Sequence, residues 1–333
     1  LTPDGREVVR GDKDWQYWKF AWRSSLITVI TLVDHLHMTH FRAANVLATA
    51  SRKTFSPNHP MRRMSAIFTF GSIFVNLNAM HTLIGPGHLL HRSTPFKEFE
   101  ALSDLVPSSL PRIEDQHKAV LSEEEYKKLP KELQEAPYFA DGRLLVEAMR
   151  RMLDKYFGIF RKDVCGPNGT VTDEEAIRFR DEIIAENTES SYASSLNEDL
   201  DCNGMHDSML AFIWTVTAWH RHVGTVGDYF ADPDLASFSW RDGEPYARPK
   251  QHMMMSIVAA FTGTEQPKLI EDYSHVFRGL EHEEQAVKVM ADFRKELEEI
   301  HQVIAKRNEK RLQTWGYKNI HTDPYIVECS VAV

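Results

Sequence analysis

Cysteine is scarce in this 333-residue chain: Cys165, Cys202 and Cys329 form an odd, widely spaced set. Such a set is no framework for a disulfide-stapled fold, and it reads as the reduced cysteines of a cytoplasmic protein. Long apolar runs are missing too. The nearest candidate, residues 26–33, is interrupted by Thr28 and Thr31 and falls far short of the ~20 residues that span a bilayer. Positive charge is not in excess, since 39 Lys and Arg stand against 48 Asp and Glu. The net charge of −9 gives a nucleic-acid partner no electrostatic footing. Internal repeats and low-complexity tracts are absent, which excludes solenoids and disordered tails. No signal peptide is visible at the start of the sequence. A single glycosylation sequon, Asn168-Gly169-Thr170, follows Pro167 in a loop and by itself argues weakly for secretion.

What is present is helical. Hydrophobic residues make up 42% and charged residues 26%, the balance of a soluble globular protein. Strand signal is scarce, so the fold class is mainly α. Asp14 reads as the N-cap of a helix opening on Trp15, Tyr17, Trp18 and Phe20. Residues 24–53 open on a β-branched run that would suit a strand. Apolar spacing continues through Phe41, Ala44, Leu47 and Ala50, however, and an all-round apolar helix is a buried one. Residues 61–84 form a second helix, stopped by Gly85-Pro86-Gly87. The proline-studded stretch 92–140 reads as a surface excursion with short helices. Further helices run from Asp141-Gly142 to about Arg161, from Thr172 (a capping box with Glu175), from Met205 to about Val223, from Met253, and from Glu281 to Gln313. The tail, Pro324 to Val333, is extended and apolar.

Histidine is abundant, with 16 in all, and two clusters carry the chemistry. Asp34-His35-Leu36-His37-Met38-Thr39-His40 lies inside the buried helix. A lone helical histidine is usually a satisfied core or surface residue, but buried imidazoles need partners, and a metal is a common one. His37 and His40 are about 60° apart on a regular α-helix and share a face; His35 and His40 are about 140° apart. Spacing therefore favours the His37/His40 pair, and His35 joins His40 only if the helix widens to π geometry. The second cluster, Trp219-His220-Arg221-His222, puts its two histidines on opposite sides, so one at most faces a common site. The terminal Ser330-Val331-Ala332-Val333 is too apolar for a frayed tail. It suits insertion into the core with its carboxylate, or docking to a partner that captures free C-termini.

Taken in order, the chain resembles the lipoxygenases, non-haem iron dioxygenases of polyunsaturated fatty acids. The resemblance runs through Asp14-Trp15, Lys19, Arg23-Ser24-Ser25, His35-x4-His40, Arg52, His59-Pro60, Asn76, Ala79 and Leu83-Ile84. It resumes at Asp141-Gly142, Glu147-Ala148, Thr217-Ala218-x-His220, Phe293-Arg294-Lys295, Arg307-Asn308 and the terminal Ser330-Val331-Ala332-Val333. It implies one lipoxygenase-like catalytic domain over 1–333, a helical bundle around the metal. The family's further N-terminal part and β-sandwich would be absent, cleaved or on another chain. It implies that His35, His40, His220 and the carboxylate of Val333 hold iron cycling between Fe2+ and Fe3+, with manganese the alternative. The reactive base would be metal-bound hydroxide, with no side-chain base. His37 and His222 fall outside the motif and read as neighbours of the metal shell. Leu83, Ala79, Phe41 and Ala44 are expected to line the substrate channel. The implied partners are O2 and an unsaturated lipid or other apolar small molecule, with peripheral membrane contact allowed.

The sequence also departs from the family. Gly224 stands where a weak ligand, usually Asn, is expected four residues after His220. Thr31 replaces a glutamine before His35, Ala44 a glutamate after His40, and Glu328-Cys329 a Pro-Asn. These changes keep two other readings open: a lipoxygenase-like enzyme that rearranges hydroperoxides or oxidises a specialised metabolite, and a non-catalytic helical metal-binding or interaction protein.

Overall fold

The computed structural model describes residues 2, 4–94, 96, 98–186, 201–225, 232, 234–237, 249, 253, 256, 257 and 266–331. Its principal helices are α1 (Trp15–Val29), α2 (Asn45–Thr54), α3 (Pro60–Phe68), α4 (Ser72–Thr82), α5 (Leu105–Leu121), α6 (Pro137–Val164), α7 (Glu174–Glu186), α8 (Cys202–Trp214), α9 (His220–Gly224) and α10 (Glu283–Trp315). Two π-helical segments interrupt them: π1 (Ile30–Ala44) between α1 and α2, and π2 (Thr215–Trp219) between α8 and α9. Among the described residues the only β pairing is three isolated bridges.

The β-branched run resolves as helix, because α1, π1 and α2 form one continuous rod over 15–54 whose inner side chains join the core. Val33, Met38, Ala43, Ala44 and Leu47 pack there with Leu145, Met149 and Leu153 of α6 and with Phe212, Ile213 and Trp214 of α8. α6 and α10, the two longest helices, lie against each other. Their junction is polar. Asp141, fully buried, accepts from Arg311 (2.5 and 3.0 Å), Arg307 (2.6 Å) and Asn319 (3.1 Å). A buried carboxylate tolerates this only because each oxygen is paired.

Several boundaries differ from the sequence reading. Asp14 occupies the N-cap position without capping; its carboxylate pairs with Arg6 and accepts from Trp18 Nε1. Residues 61–84 are two helices, because Thr69–Gly71 turns the chain with Gly71 left-handed at φ 69°. The 92–140 stretch contains the 17-residue α5, which admits Pro107 in its first turn and carries Pro111 further in. α6 opens on Pro137, which needs no amide partner at the first helical position, so Asp141 and Gly142 lie inside it. Asp173, not Thr172, caps α7, accepting from Ala176 N at 2.6 Å, while Glu175 accepts from Ser56 N. Cys165 and Cys202 are not reduced: they form a disulfide with Cα atoms 6.3 Å apart. Most of the loop read at 224–250 and of the helix read from Met253 lies outside the described residues.

Candidate metal centre

π1 and π2 pack side by side, and each presents imidazole to the same point. A π-helix returns to a given face after about five residues rather than four, so His35 and His40 align across one π turn. Thr39 Oγ donates to the carbonyl of Asp34, five residues back, at 2.7 Å. π2 delivers His220. The three Nε2 atoms form a nearly equilateral triangle: His35–His40 3.0 Å, His35–His220 3.1 Å and His40–His220 3.2 Å. These are the residues that the sequence resemblance selects, and His37, favoured by α-helical spacing, is outside the cluster.

The surroundings fix one tautomer. Asn76 Nδ2 donates to the carbonyl of His40 (2.8 Å), which leaves Asn76 Oδ1 to accept from His40 Nδ1 (2.9 Å). His40 therefore carries its proton on Nδ1 and turns a bare Nε2 lone pair to the centre. Burial pushes His40 down to about 4 and holds His35 and His220 well below the ordinary histidine range, with mutual repulsion adding at those two. All three are neutral, the form that ligates metals.

The triangle fits a metal and does not fit a self-satisfied hydrogen-bond ring. Each neutral imidazole has one N–H, and that of His40 is already used, so no proton placement satisfies all three edges and both remaining Nδ1 atoms. The Nδ1 atoms of His35 and His220 are buried without a hydrogen-bond partner among the described residues. Nitrogens ~2.1 Å from a shared ion and at right angles would sit ~3.0 Å apart, whereas tetrahedral angles would require ~3.4 Å. The observed edges match one face of an octahedron.

The other sequence candidates are placed as follows. Gly224 forms a wall of the centre: a Cβ there would lie 3.0 Å from His35 Nε2 and 3.4 Å from His220 Nε2. Thr31 is buried, its hydroxyl without a hydrogen-bond partner among the described residues. His222 points the other way, to Tyr138 with ring centroids 4.5 Å apart. Phe41 and Leu83 share an apolar cluster with Ile27, Leu36 and Leu90, and Ala44 lies instead in the main core. Ala79 is on the buried side of α4, one turn from Asn76; the opposite side exposes Phe74, Leu77 and Met80. The tail enters the protein: Leu269 N donates to Val327 O, Cys329 N to Pro267 O and Ser330 Oγ to Phe70 O, and Val331 is fully buried. Val333 lies outside the described residues.

Sequence reasoning missed two contributors. Asp34, buried beside His35, is paired with Arg112 of α5 at 2.6 Å; burial nonetheless pushes its carboxyl up. Glu328 of the tail meets Arg221, the neighbour of His220, and Lys268 at 3.4 and 3.0 Å. In each case the only sequence signal is a charge next to a candidate ligand, and its partner is distant in the chain.

Fold and site together define a helical protein with a tri-imidazole centre between two π-helical segments. The fold is lipoxygenase-like. The chain superposes on a Delta413-417:GS LOX in complex with arachidonate with a TM-score of 0.78 at 16% identity, over 97% of this chain and 49% of that one. It matches coral 8R-lipoxygenase (TM-score 0.72, 16%, 96% and 50%) and a calcium-dependent 11R-lipoxygenase (0.72, 16%, 96% and 48%). The chain thus spans about half the length of these lipoxygenases. No family model and no curated protein matches the sequence. Among the described residues no helix is long and apolar enough to cross a membrane.

Proposed function

We propose that the protein is a non-haem iron dioxygenase that adds O2 to an unsaturated fatty acid or related lipid, giving a hydroperoxide. The Nε2 triangle of His35, His40 and His220 carries this reading, because three neutral nitrogens on one octahedral face suit a first-row metal with positions left for other ligands. The carboxylate of Val333 is the fourth proposed ligand, supported by the inward course of the tail through Val331. Bound iron supplies the one-electron chemistry that starts the reaction, a hydrogen-atom abstraction from the lipid. Asn76 fixes the His40 ring, and the Asp34–Arg112 pair anchors π1 at the residue just before His35. Leu83 and Phe41 supply apolar surface for the lipid. Manganese in place of iron is compatible with the same donors.

One observation favours the second reading, a hydroperoxide-rearranging enzyme. Gly224 offers no side-chain donor, so the protein's ligand set is one short there. Metal analysis of the purified chain, followed by O2 uptake and conjugated-diene absorbance with linoleate, tests both. About one metal per chain with O2-dependent diene formation supports the dioxygenase. Metal without dienes, but with loss of added hydroperoxide, supports the second reading. A chain that takes up no metal refutes both.

A further inference from the structure

The sequon lies three residues after Cys165, in one structural unit with the disulfide, whose cysteines are 37 residues apart in sequence. Cys165 follows the last residue of α6, and Cys202 is the first residue of α8. Between them the chain turns at once. Gly169 N donates to Gly166 O (3.0 Å) and Gly166 N to Thr170 O (2.8 Å), so Pro167 and Asn168 form the corners of a tight turn. Pro167 presets φ for the first corner, and Gly169 takes φ +76°, where a side chain would be strained. The turn is tied to the start of α8, because Thr170 bridges to Asp201 and Cys202 N donates to Gly169 O at 2.8 Å. The two sulfurs are buried beneath it, whereas Asn168 and Thr170 are both exposed.

This arrangement meets the stereochemical demands of N-glycosylation. The acceptor asparagine stands at the tip of a turn, the hydroxyl residue two positions on is open to solvent, and the intervening residue is glycine rather than proline. A sequon alone is a common accident. A disulfide alone is an independent sign, since such bonds persist in oxidising compartments and are rare in the cytosol. Here both features point to the same compartment.

We propose that Asn168 carries an N-linked glycan and that the protein matures in an oxidising secretory compartment, in place of the cytoplasm that three sparse cysteines suggest. In the transfer, the side-chain amide nitrogen of Asn168 bonds to C1 of an oligosaccharide supplied by a lipid-pyrophosphate carrier. The C1–O bond to the carrier breaks, the lipid pyrophosphate leaves, and one amide hydrogen is lost as a proton. Closure of Cys165 and Cys202 gives two electrons and two protons to a disulfide of that compartment, which becomes a dithiol.

The bond also bears on the candidate centre, because α8 runs without interruption from Cys202 through π2 to His220. The glycan itself projects from the far end of that helix and leaves the His220 end free.

The test is peptide mapping of the protein isolated from its source cells, alkylated without reductant. Endoglycosidase trimming should leave one N-acetylhexosamine on the peptide containing Asn168, and the Cys165 and Cys202 peptides should run crosslinked. Retention of a sugar, rather than conversion to aspartate, is read because Asn168-Gly169 also invites deamidation, a 1 Da change. The full chain secreted from yeast behind a cleavable leader provides the control, and N168Q and T170A should each abolish the sugar without changing the melting temperature by more than a degree or two. Bare Asn168 in the source protein overturns the proposal, even if the yeast material is glycosylated. Alkylated Cys165 and Cys202 in the source protein overturn it as well.

Discussion

Gly224→Ala separates the needs of the helix from those of the centre. The added methyl would lie 3.0 Å from His35 Nε2, 3.2 Å from its Cδ2 and 3.4 Å from His220 Nε2. Ordinary contact begins near 3.4 Å, so the His35 ring must retreat by about 0.4 Å, twice the ~0.2 Å tolerance of a metal–ligand bond. A displacement of that kind should weaken metal binding by at least the ~10–100-fold typical of disturbed supporting residues. The metal-free fold should change little, because the displacement of His35 offsets the helix propensity that alanine brings. Gly224 ends α9 without a left-handed φ, so alanine gains ~0.5–1 kcal/mol of helix propensity there. Gly158→Ala is the matched control: it lies inside α6 with nothing within 4 Å of its Cβ position, and should gain the propensity without touching the metal. Chelator competition gives the metal affinity and thermal melts of metal-free protein give the stability. If G224A binds metal within twofold of the parent, position 224 does not border the metal and the assignment of the centre fails.

Asn76→Leu removes both hydrogen bonds that orient His40, and metal affinity should fall by ~10–100-fold in the same competition assay. Extending the chain by a few residues beyond Val333 should abolish metal binding; an extended protein with full metal content would remove the terminal carboxylate from the ligand set. Asp141→Ala leaves Arg311 buried without its carboxylate, and urea melts should show a loss of ~3–5 kcal/mol. His117 is buried edge-on against Trp219, and burial pushes it down to about 3. The unfolded chain takes a proton near pH 6.5 that the folded chain refuses until about pH 3, so stability is greatest above pH 6.5 and falls as the pH drops through that window. The cost is at most ~1.4 kcal/mol per pH unit for one site. His117→Phe should reduce the slope of metal-free stability between pH 4.5 and 6.5 by about that amount, and an unchanged slope would refute the assignment.

Helices were legible wherever the apolar period was long. The rod over 15–54 is the clearest case, since its β-branched run at 26–33 is overruled by apolar spacing that continues through Ala50. Boundaries were less legible because the deciding contacts are tertiary. Asp14 looks like a cap but is drawn to Arg6, and Thr172 looks like a cap but Asp173 reaches the free amide. The disulfide escaped for the same reason: 37 residues of separation give no hint that α6 ends beside the start of α8.

The centre shows more sharply what spacing can and cannot carry. Regular helix geometry selects His37 with His40 and rejects His35. The structure reverses that because π1 holds a wider turn throughout 30–44, and local propensity has no reason to produce one. Its support comes from outside the segment: Arg112 of α5 grips Asp34, and Asn76 of α4 grips the carbonyl and ring of His40. The pair choice is therefore a property of three helices, not of the histidine run. That gives the π geometry a physical test independent of any metal. Arg112→Met leaves the Asp34 carboxylate buried and unpaired beside His35, and the π1 turn should then open more readily. Amide exchange across residues 34–40 should accelerate before any change in α6 or α10. Exchange unchanged in π1 would mean that the wide turn stands without the Arg112 clamp, held by Asn76 and by the packing of π1 against π2.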